Sequence, residues 1–257
     1  MRRFIKLTGI LLFLLGLFPY SLSAQDALSD QQMPMGRIHK WKEQGQIRVF
    51  LLGTPVREFK LDGAIYQLNV HEALKFAVEE LDQEILFTPA VPLSLVDRAE
   101  GADIFLGLYS DSLYLKSVWG SSRSRNLFKL LNMHPGITLI VDKDWELWGL
   151  SASYDDSKYD YTECLVAPPQ SFVFNLSDLT VIGYRRALDF QSPSEKIRSA
   201  IQAVAKHELY HALGLTHQQG CHSEGKGSGC SVMASDSKML WLYPSVSEIA
   251  SLEEIWR

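Results

Sequence analysis

The sequence has few cysteines, no excess of basic residues and no long apolar run after its amino terminus. Three cysteines in 257 residues allow at most one disulfide bond. With 25 Lys and Arg against 30 Asp and Glu, the net charge of −5 gives no support for binding nucleic acid or anionic membranes. Internal repeats and low-complexity segments are also missing, and a content of 46% apolar and 21% charged residues argues against disorder.

The one long apolar run lies at the amino terminus. Residues 7–18 follow a basic start and have the length of a signal-peptide core, which is short for a membrane span. Small residues at 21–24 suit cleavage before Gln25. We therefore predict a signal peptide over 1–24 and a secreted or periplasmic protein, with an uncleaved anchor as the alternative. Removing its three basic residues changes the net charge from −5 to −8.

The rest of the chain, about 230 residues, is long enough for one domain with a sizeable core. Residues 25–44 are polar and predict a mobile N-terminal leader, so the folded domain is expected over 45–257. Asn69 and Glu72 form a capping box that opens an amphipathic helix. A helix between strands favours a crossover and a partly parallel sheet. Strands are expected at 46–52, 84–88, 102–109 and 136–142.

Three segments between these elements are less clearly patterned. Residues 110–135 combine basic and apolar positions, which indicates either a lid or exosite or a solvated amphipathic helix. Residues 171–176 and 179–184 flank a turn and predict a hairpin. The segment 143–169 is interpreted as a solvated loop, with a calcium site as the alternative. Its clustered carboxylates are Asp155, Asp156, Asp160 and Glu163.

Three histidines and one glutamate carry the chemistry of the chain. On a helix, His207 and His211 stack on one face because they are four residues apart, close enough to share a zinc ion. Glu208 stands beside that metal without ligating it, where a general base for a zinc-activated water belongs. Gly214 lets the chain leave the helix through a left-handed turn that returns His217 as the third ligand. Three protein ligands leave a fourth position open, which is typical of catalytic zinc.

The helix that carries the first two histidines is well specified by its own sequence. Ser192 is suited to cap it, Pro193 fits its first turn, and Glu195 completes a capping box. Its buried face is expected to consist of Ile197, Ala200, Ile201, Val204 and Ala205. A second capping box, at Ser245 and Glu248, opens a short amphipathic helix at the carboxyl terminus.

Residues 207–217 match the HExxHxxGxxH signature of the metzincin zinc peptidases, and 230–235 resemble the methionine turn of that clan. The resemblance implies that Met233 forms an apolar floor under the metal without ligating it. It also implies an α+β fold: a twisted mixed β-sheet with an active-site helix, a backing helix and a C-terminal helix. Matrixin-like members are nearest, because 102–108 resembles a strand that precedes their active site.

Two features bear on how far this resemblance extends. Tyr210 stands where matrixins usually have glycine, and its bulk affects either the packing of the helix or the cleft. The leader has no cysteine, so a propeptide thiolate that blocks zinc is not expected.

Cys221 and Cys230 flank the loop between His217 and the methionine turn, and a disulfide between them would hold the turn in place relative to His217. Cys164 is then free, or a partner in an alternative pairing.

The predicted function is that of a secreted zinc metalloendopeptidase. His207, His211 and His217 hold one zinc ion, and Glu208 moves a proton from the zinc-activated water to the leaving amine. The resemblance implies a protein or peptide substrate bound along an edge strand, without nucleic acid and without membrane insertion after signal cleavage. Two alternatives are a zinc-containing binding or inhibitory protein of the same fold, and a zinc hydrolase of non-peptide amides.

Overall fold

Four helices are present in the part of the chain that the structure describes. The structure is a computed structural model, and it describes residues 35–85, 91–113, 137–141, 149–155, 160–171, 173, 175–184, 186–217, 231–234 and 239–257. The helices are α1 (Met35–Gln44), α2 (Val70–Ile85), α3 (Pro193–Ala212) and α4 (Val246–Trp256). None of these four is both long and apolar enough to span a membrane. The predicted signal peptide over 1–24 lies outside the described residues.

The strands of the described residues form one large sheet and two small ones. They are β1 (Ile47–Leu51), β2 (Val56–Leu61), β3 (Ala64–Asn69), β4 (Leu93–Val96), β5 (Ile104–Leu108), β6 (Ile137–Val141), β7 (Gly149–Asp155), β8 (Asp160–Val166), β9 (Thr180–Ile182) and β10 (Met239–Trp241). The large sheet has six strands in the order β4–β1–β5–β8–β7–β6, while β2 pairs with β3 and β9 pairs with β10.

The large sheet is mixed. Strand β1 pairs in parallel with β4 and β5, and β5 pairs in parallel with β8, with Leu106 opposite Cys164. Strand β7 runs antiparallel between β8 and β6, with Ser151 opposite Cys164. Helix α2 lies in the connection that leads from β1 to the parallel strand β4. These pairings confirm the expected crossover and partly parallel sheet, and the described chain is of the α+β class.

Helices α2 and α3 cover one face of this sheet. Their apolar stripes join Val49, Ile104 and Leu106 of the central strands in one buried core. In α3 the stripe expected from the sequence is buried as predicted, and in α2 the buried residues are Val70, Ala73, Leu74, Ala77, Val78, Leu81 and Ile85. A second, smaller cluster that includes Phe105 and Leu165 lies on the opposite face, because neighbouring strand residues point to opposite sides.

The prediction of a mobile leader over 25–44 is wrong for residues 35–44. Residues 35–44 form α1, in which Ile38 and Trp41 are fully buried. The polar composition of the segment concealed this helix, because two large apolar side chains are enough to anchor it to the core. The folded part of the chain therefore begins before residue 45, and residues 25–34 lie outside the described part.

Three further expectations about strands and loops need correction. Helix α2 continues through Ile85, so the strand expected at 84–88 is wrong at its start, and 86–88 lie outside the described residues. The solvated loop expected over 143–169 contains β7 and β8, two strands of the large sheet. The hairpin expected over 171–184 is wrong, because β9 pairs in parallel with the distant β10 and Pro169–Ser171 forms a 3₁₀ turn.

The hairpin of β2 and β3 was not expected, although its turn carries a clear signal. Asp62 and Gly63 join the two strands, and both have positive φ, +51° and +77°. That backbone matches the twist of antiparallel strands, and Asp-Gly is a preferred pair for it. The segment expected over 110–135 lies outside the described residues from 114 onward.

Candidate metal centre

The sequence around the start of α3 fixes where its later residues lie. The Ser192 Oγ accepts a hydrogen bond from the Glu195 amide at 3.3 Å, and the Ser192 amide donates to the Glu195 carboxylate at 2.8 Å. This reciprocal pair is the predicted capping box, and Pro193 occupies the first turn as expected. The helix then runs without interruption to Ala212, so its last turns carry His207, Glu208 and His211.

The chain reverses direction immediately after α3. Gly214 has a φ of +105°, the left-handed backbone predicted for this position, and the Leu215 amide donates back to the Tyr210 carbonyl at 3.0 Å. A side chain at Gly214 would also press on Ile38 and Ile255, each about 3.2 Å from the Cβ position. Glycine is therefore required here both by the backbone and by the packing. The turn brings His217 back to the histidines of the helix.

The three histidines converge through their Nε2 atoms. The distance is 3.0 Å between His207 and His211, 3.1 Å between His211 and His217, and 3.2 Å between His207 and His217. Zinc–nitrogen bonds of about 2.0–2.1 Å in tetrahedral geometry place the ligand atoms about 3.3 Å apart. Within the described residues, this is the one group of three or more His, Cys, Asp or Glu side chains close enough to hold an ion. The spacing fits one tetrahedral metal.

Backbone carbonyls select the tautomer of the two helical histidines. The Nδ1 of His207 donates to the Val232 carbonyl at 2.5 Å, and the Nδ1 of His211 donates to the Leu215 carbonyl at 2.7 Å. Because a carbonyl only accepts, the proton of each neutral ring is on Nδ1 and the Nε2 lone pair faces the centre. Two lone pairs 3.0 Å apart repel unless a cation lies between them.

Burial keeps both rings neutral. It lowers the pKa of His207 to about 4, although the hydrogen bond to the Val232 carbonyl raises that pKa. Burial also lowers the pKa of His211 well below its ordinary value, with the neighbouring His207 and His217 acting in the same direction. A neutral imidazole is the form that binds a metal, so at neutral pH these side chains are ready to ligate.

Glu208, the predicted general base, is buried beside the first residue of β7. A Cβ built on Gly149 would lie 2.0 Å from the Glu208 Oε1, so the backbone of β7 approaches the carboxylate more closely than a side chain would permit. Behind the helix, the Cys164 thiol donates to the Glu208 carbonyl at 3.4 Å. Sequence analysis did not identify Gly149, because the contact joins residues far apart in the chain.

The described part of the predicted methionine turn, 231–234, contacts the centre through the Val232 carbonyl, which accepts from His207. Met233 is fully buried in the main core, as an apolar floor requires. The buried carboxylate of Glu248, on α4, accepts hydrogen bonds from the Met233 amide at 3.1 Å and from the Ser231 hydroxyl. Glu248 also completes the predicted capping box with Ser245. It was identified from the sequence as a cap only, because its second set of partners lies 15 and 17 residues earlier.

Tyr210 contacts helix α2 rather than the metal ligands. Its hydroxyl donates to the Glu84 carboxylate at 2.8 Å, and the fully buried Lys206 forms salt bridges with Glu84 at 2.6 Å and with Glu80 at 3.3 Å. Burial raises the pKa of Tyr210, and the nearby negative charge of Glu84 raises it further. The tyrosine in the zinc motif thus joins the two helices, which settles the alternative in favour of helix packing.

The carboxylates considered for calcium lie in two separate environments. Asp160 pairs with Arg37 at 3.2 Å and with Lys40, and the hydrogen bond from Lys40 holds the pKa of Asp160 below its usual value. Glu163 is buried in the sheet, where it accepts from the Ser112 hydroxyl at 2.7 Å and from the Tyr154 hydroxyl at 2.9 Å. The side chains of the other two carboxylates, at 155 and 156, lie outside the described residues.

The cysteines are only partly covered by the structure. Cys164 is a free, buried thiol, and burial raises its pKa well above the ordinary value. Cys221 and Cys230, the predicted disulfide partners, lie outside the described residues. The pairing between them stays a prediction.

Comparison with known proteins assigns no family. No family model matches the chain, and no curated protein matches it. A solved structure titled "GM1 bound form of the ECX AB5 holotoxin" aligns with 89% of this chain and 92% of that chain. Its identity of 10% and TM-score of 0.46 are too low to support a shared fold or function. Any function must therefore be argued from the residues of the centre itself.

Proposed function

We propose that this protein is an exported zinc endopeptidase of the metzincin type, nearest to matrixin-like members. One observation carries the proposal. Three imidazole Nε2 atoms lie 3.0–3.2 Å apart, and on two of the rings a backbone carbonyl fixes the proton on Nδ1. With Glu208 next to the first ligand, this constellation supports a hydrolytic centre rather than a structural one. Secretion or periplasmic export rests on the predicted signal peptide.

The residues of the chain have distinct roles in the proposed reaction. His207, His211 and His217 bind the ion, which supplies Lewis acidity that lowers the pKa of water and polarises a carbonyl group. Glu208 accepts the proton of the attacking water on its carboxylate and then donates it to the leaving amine. Gly149 permits the close approach of β7, which restricts the conformations open to that carboxylate. Met233, fully buried in the core, is proposed as the apolar floor of the centre.

The arrangement of the sheet favours an extended peptide as substrate. Strand β7 begins at Gly149, beside the Glu208 carboxylate, and β6 lies on its outer side as an edge of the described sheet. An extended peptide can add to such an edge through hydrogen bonds of its backbone, which every peptide offers. The centre is therefore proposed to act on peptide bonds in extended segments.

The proposal is tested with the purified mature chain. We expect about one zinc ion per chain, and cleavage of casein and of peptide libraries that a chelator abolishes. In Glu208→Gln we expect turnover to fall by at least about 10²-fold while the zinc content stays the same, because only the proton acceptor is lost. Glu79→Gln, on the exposed face of α2, is the matched control and should be unaffected.

The other outcomes each contradict the proposal. Full activity in Glu208→Gln would exclude Glu208 as the general base. Bound zinc without cleavage of any substrate would favour the binding or inhibitory protein of the same fold. Chelator-sensitive hydrolysis restricted to non-peptide amides would favour the hydrolase of such amides.

A further inference from the structure

The carboxylate of Glu248 connects the methionine turn with the start of its own helix, α4. It accepts hydrogen bonds from the Ser231 hydroxyl and the Met233 amide in the methionine turn, and from the Ser245 amide at the start of α4 at 2.6 Å. The side chain is almost completely buried, at 2% exposure. A buried carboxylate is stabilised only when such donors surround it, so its position and that of the turn depend on each other.

The residue between the two turn donors is the one that contacts a metal ligand. The Val232 carbonyl accepts the hydrogen bond from the His207 Nδ1 at 2.5 Å, and the Val232 amide donates to the Tyr243 carbonyl at 3.0 Å. Val232 is thus held from both sides, by the carboxylate of Glu248 through its neighbours and by the backbone at Tyr243. Together these contacts fix the orientation of its carbonyl.

Carbonyl acceptors of this kind determine how a histidine presents its other nitrogen. They fix the tautomer and the ring orientation, and loss of such a partner typically weakens metal binding about 10–100-fold. Glu248 does not contact His207 itself. It acts one step further away, by fixing the peptide group that the histidine contacts.

We propose that Glu248 is a positioning residue of the zinc centre, which sets zinc affinity by holding the turn at 231–233 so that the Val232 carbonyl orients His207. This inference rests on the proposed zinc site. The alternative is a purely structural role, in which Glu248 only caps α4 through its capping box with Ser245.

The two roles are separated by three variants. The Ser231 hydroxyl and the Met233 amide donate to one carboxylate oxygen and the Ser245 amide donates to the other, so a glutamine could keep both contacts with the turn. Glu248→Leu removes both acceptor oxygens at a similar side-chain volume, and with them the contacts with the turn and with the cap. Ser245→Ala removes the hydroxyl that accepts from the Glu248 amide at 3.2 Å, and it leaves the contacts of the carboxylate with the turn intact. Ser231→Ala removes a single donor of the turn and leaves the cap intact.

Zinc affinity is measured for each variant by competition with a chromogenic chelator, together with the thermal midpoint and the visible spectrum of the cobalt-substituted protein. We expect Glu248→Leu to bind zinc about 10–100-fold more weakly and to shift the cobalt spectrum. Ser231→Ala should show the same changes to a smaller degree. Ser245→Ala should lower the thermal midpoint while its zinc affinity and cobalt spectrum stay those of the wild type.

Equal zinc affinity and equal cobalt spectra in the wild type, Ser231→Ala and Glu248→Leu would overturn the positioning role and leave the zinc centre standing. If Glu248→Leu does not fold, unchanged values in Ser231→Ala alone overturn it. A wild-type chain that binds no zinc would overturn both the positioning role and the proposed function.

Discussion

Gly149 determines how close the sheet comes to the proposed general base. Its hypothetical Cβ lies 2.0 Å from the Oε1 of Glu208 and 2.6 Å from the carboxyl carbon, so a side chain at this position would force the two groups apart. The atoms concerned belong to the functional group itself, so any substitution there must displace the carboxylate or move β7. The glycine is therefore part of the proposed catalytic geometry although it has no chemistry of its own.

Replacing Gly149 by alanine is expected to lower kcat/KM by about 10²-fold or more, because a displacement of about 1 Å at a catalytic group has an effect of this size. The zinc content should stay that of the wild type, since the three histidines are not displaced. Steady-state peptidase assays and metal analysis measure the two quantities. Gly183→Ala is the control, because its added Cβ meets only the end of the Leu188 side chain. Equal loss of activity in both variants would exclude a specific role for Gly149.

The metal ligands and the glycine differ in how far the sequence can predict them. His207, His211 and Glu208 follow from helix geometry, and Gly214 follows from the backbone that only glycine adopts readily, so local rules were sufficient. The contact of Gly149 with Glu208 and that of Val232 with His207 depend on how distant segments pack. No local sequence pattern predicts these two contacts, because every residue has a backbone carbonyl and many glycines occur without such a contact.

At the scale of elements, α1 shows how a polar segment is anchored by a few apolar residues. Ile38 reaches Gly214 at the end of α3, and Lys42 lies over the ring of Trp256 at 5.9 Å. The indole of Trp256 in turn donates to the Leu213 carbonyl at 2.9 Å. The first and last described helices thus both contact the end of the helix that carries His207 and His211, two of the proposed metal ligands.

Trp41→Ala in α1 is expected to lower the free energy of unfolding by about 3–5 kcal/mol, because Trp41 is fully buried and its loss leaves a cavity. Urea unfolding followed by circular dichroism measures this change. Glu43→Ala in the same helix removes a side chain that is 70% exposed, and it should change stability by less than about 0.5 kcal/mol. Similar stabilities of the two variants would mean that α1 is not part of the cooperative domain.

Strands β7 and β8 were missed for a different physical reason. Their polar residues suggest a solvated loop, yet several of these residues are buried and bond to one another across the pair. The Ser153 and Thr162 hydroxyls lie 2.8 Å apart, and the Tyr154 hydroxyl donates to the Glu163 carboxylate. Composition indicates exposure only when polar groups lack partners, and partners on a neighbouring strand cannot be recognised before the strand pairing is known.

At the scale of the whole molecule, the burial of neutral histidines makes the stability of the fold depend on pH. In the metal-free protein, burial lowers the pKa of His207 to about 4 and that of His211 well below its ordinary value of 6.5. In the unfolded chain both rings take up a proton near pH 6.5. Between about pH 6.5 and pH 4 the unfolded state therefore binds more protons than the folded state, so the free energy of unfolding falls as the pH is lowered.

For His207 alone, the shift corresponds to about 3 kcal/mol that is present above pH 6.5 and is lost as the pH falls toward 4. Urea unfolding of chelator-treated protein at pH 7, 6 and 5 measures this slope. His207→Gln should flatten it, because glutamine does not titrate, whereas His39→Gln, at a side chain that is 74% exposed, should leave it unchanged. A slope identical in the wild type and His207→Gln would show that His207 is not held neutral by burial, and the tautomer argument for the metal centre would fail with it.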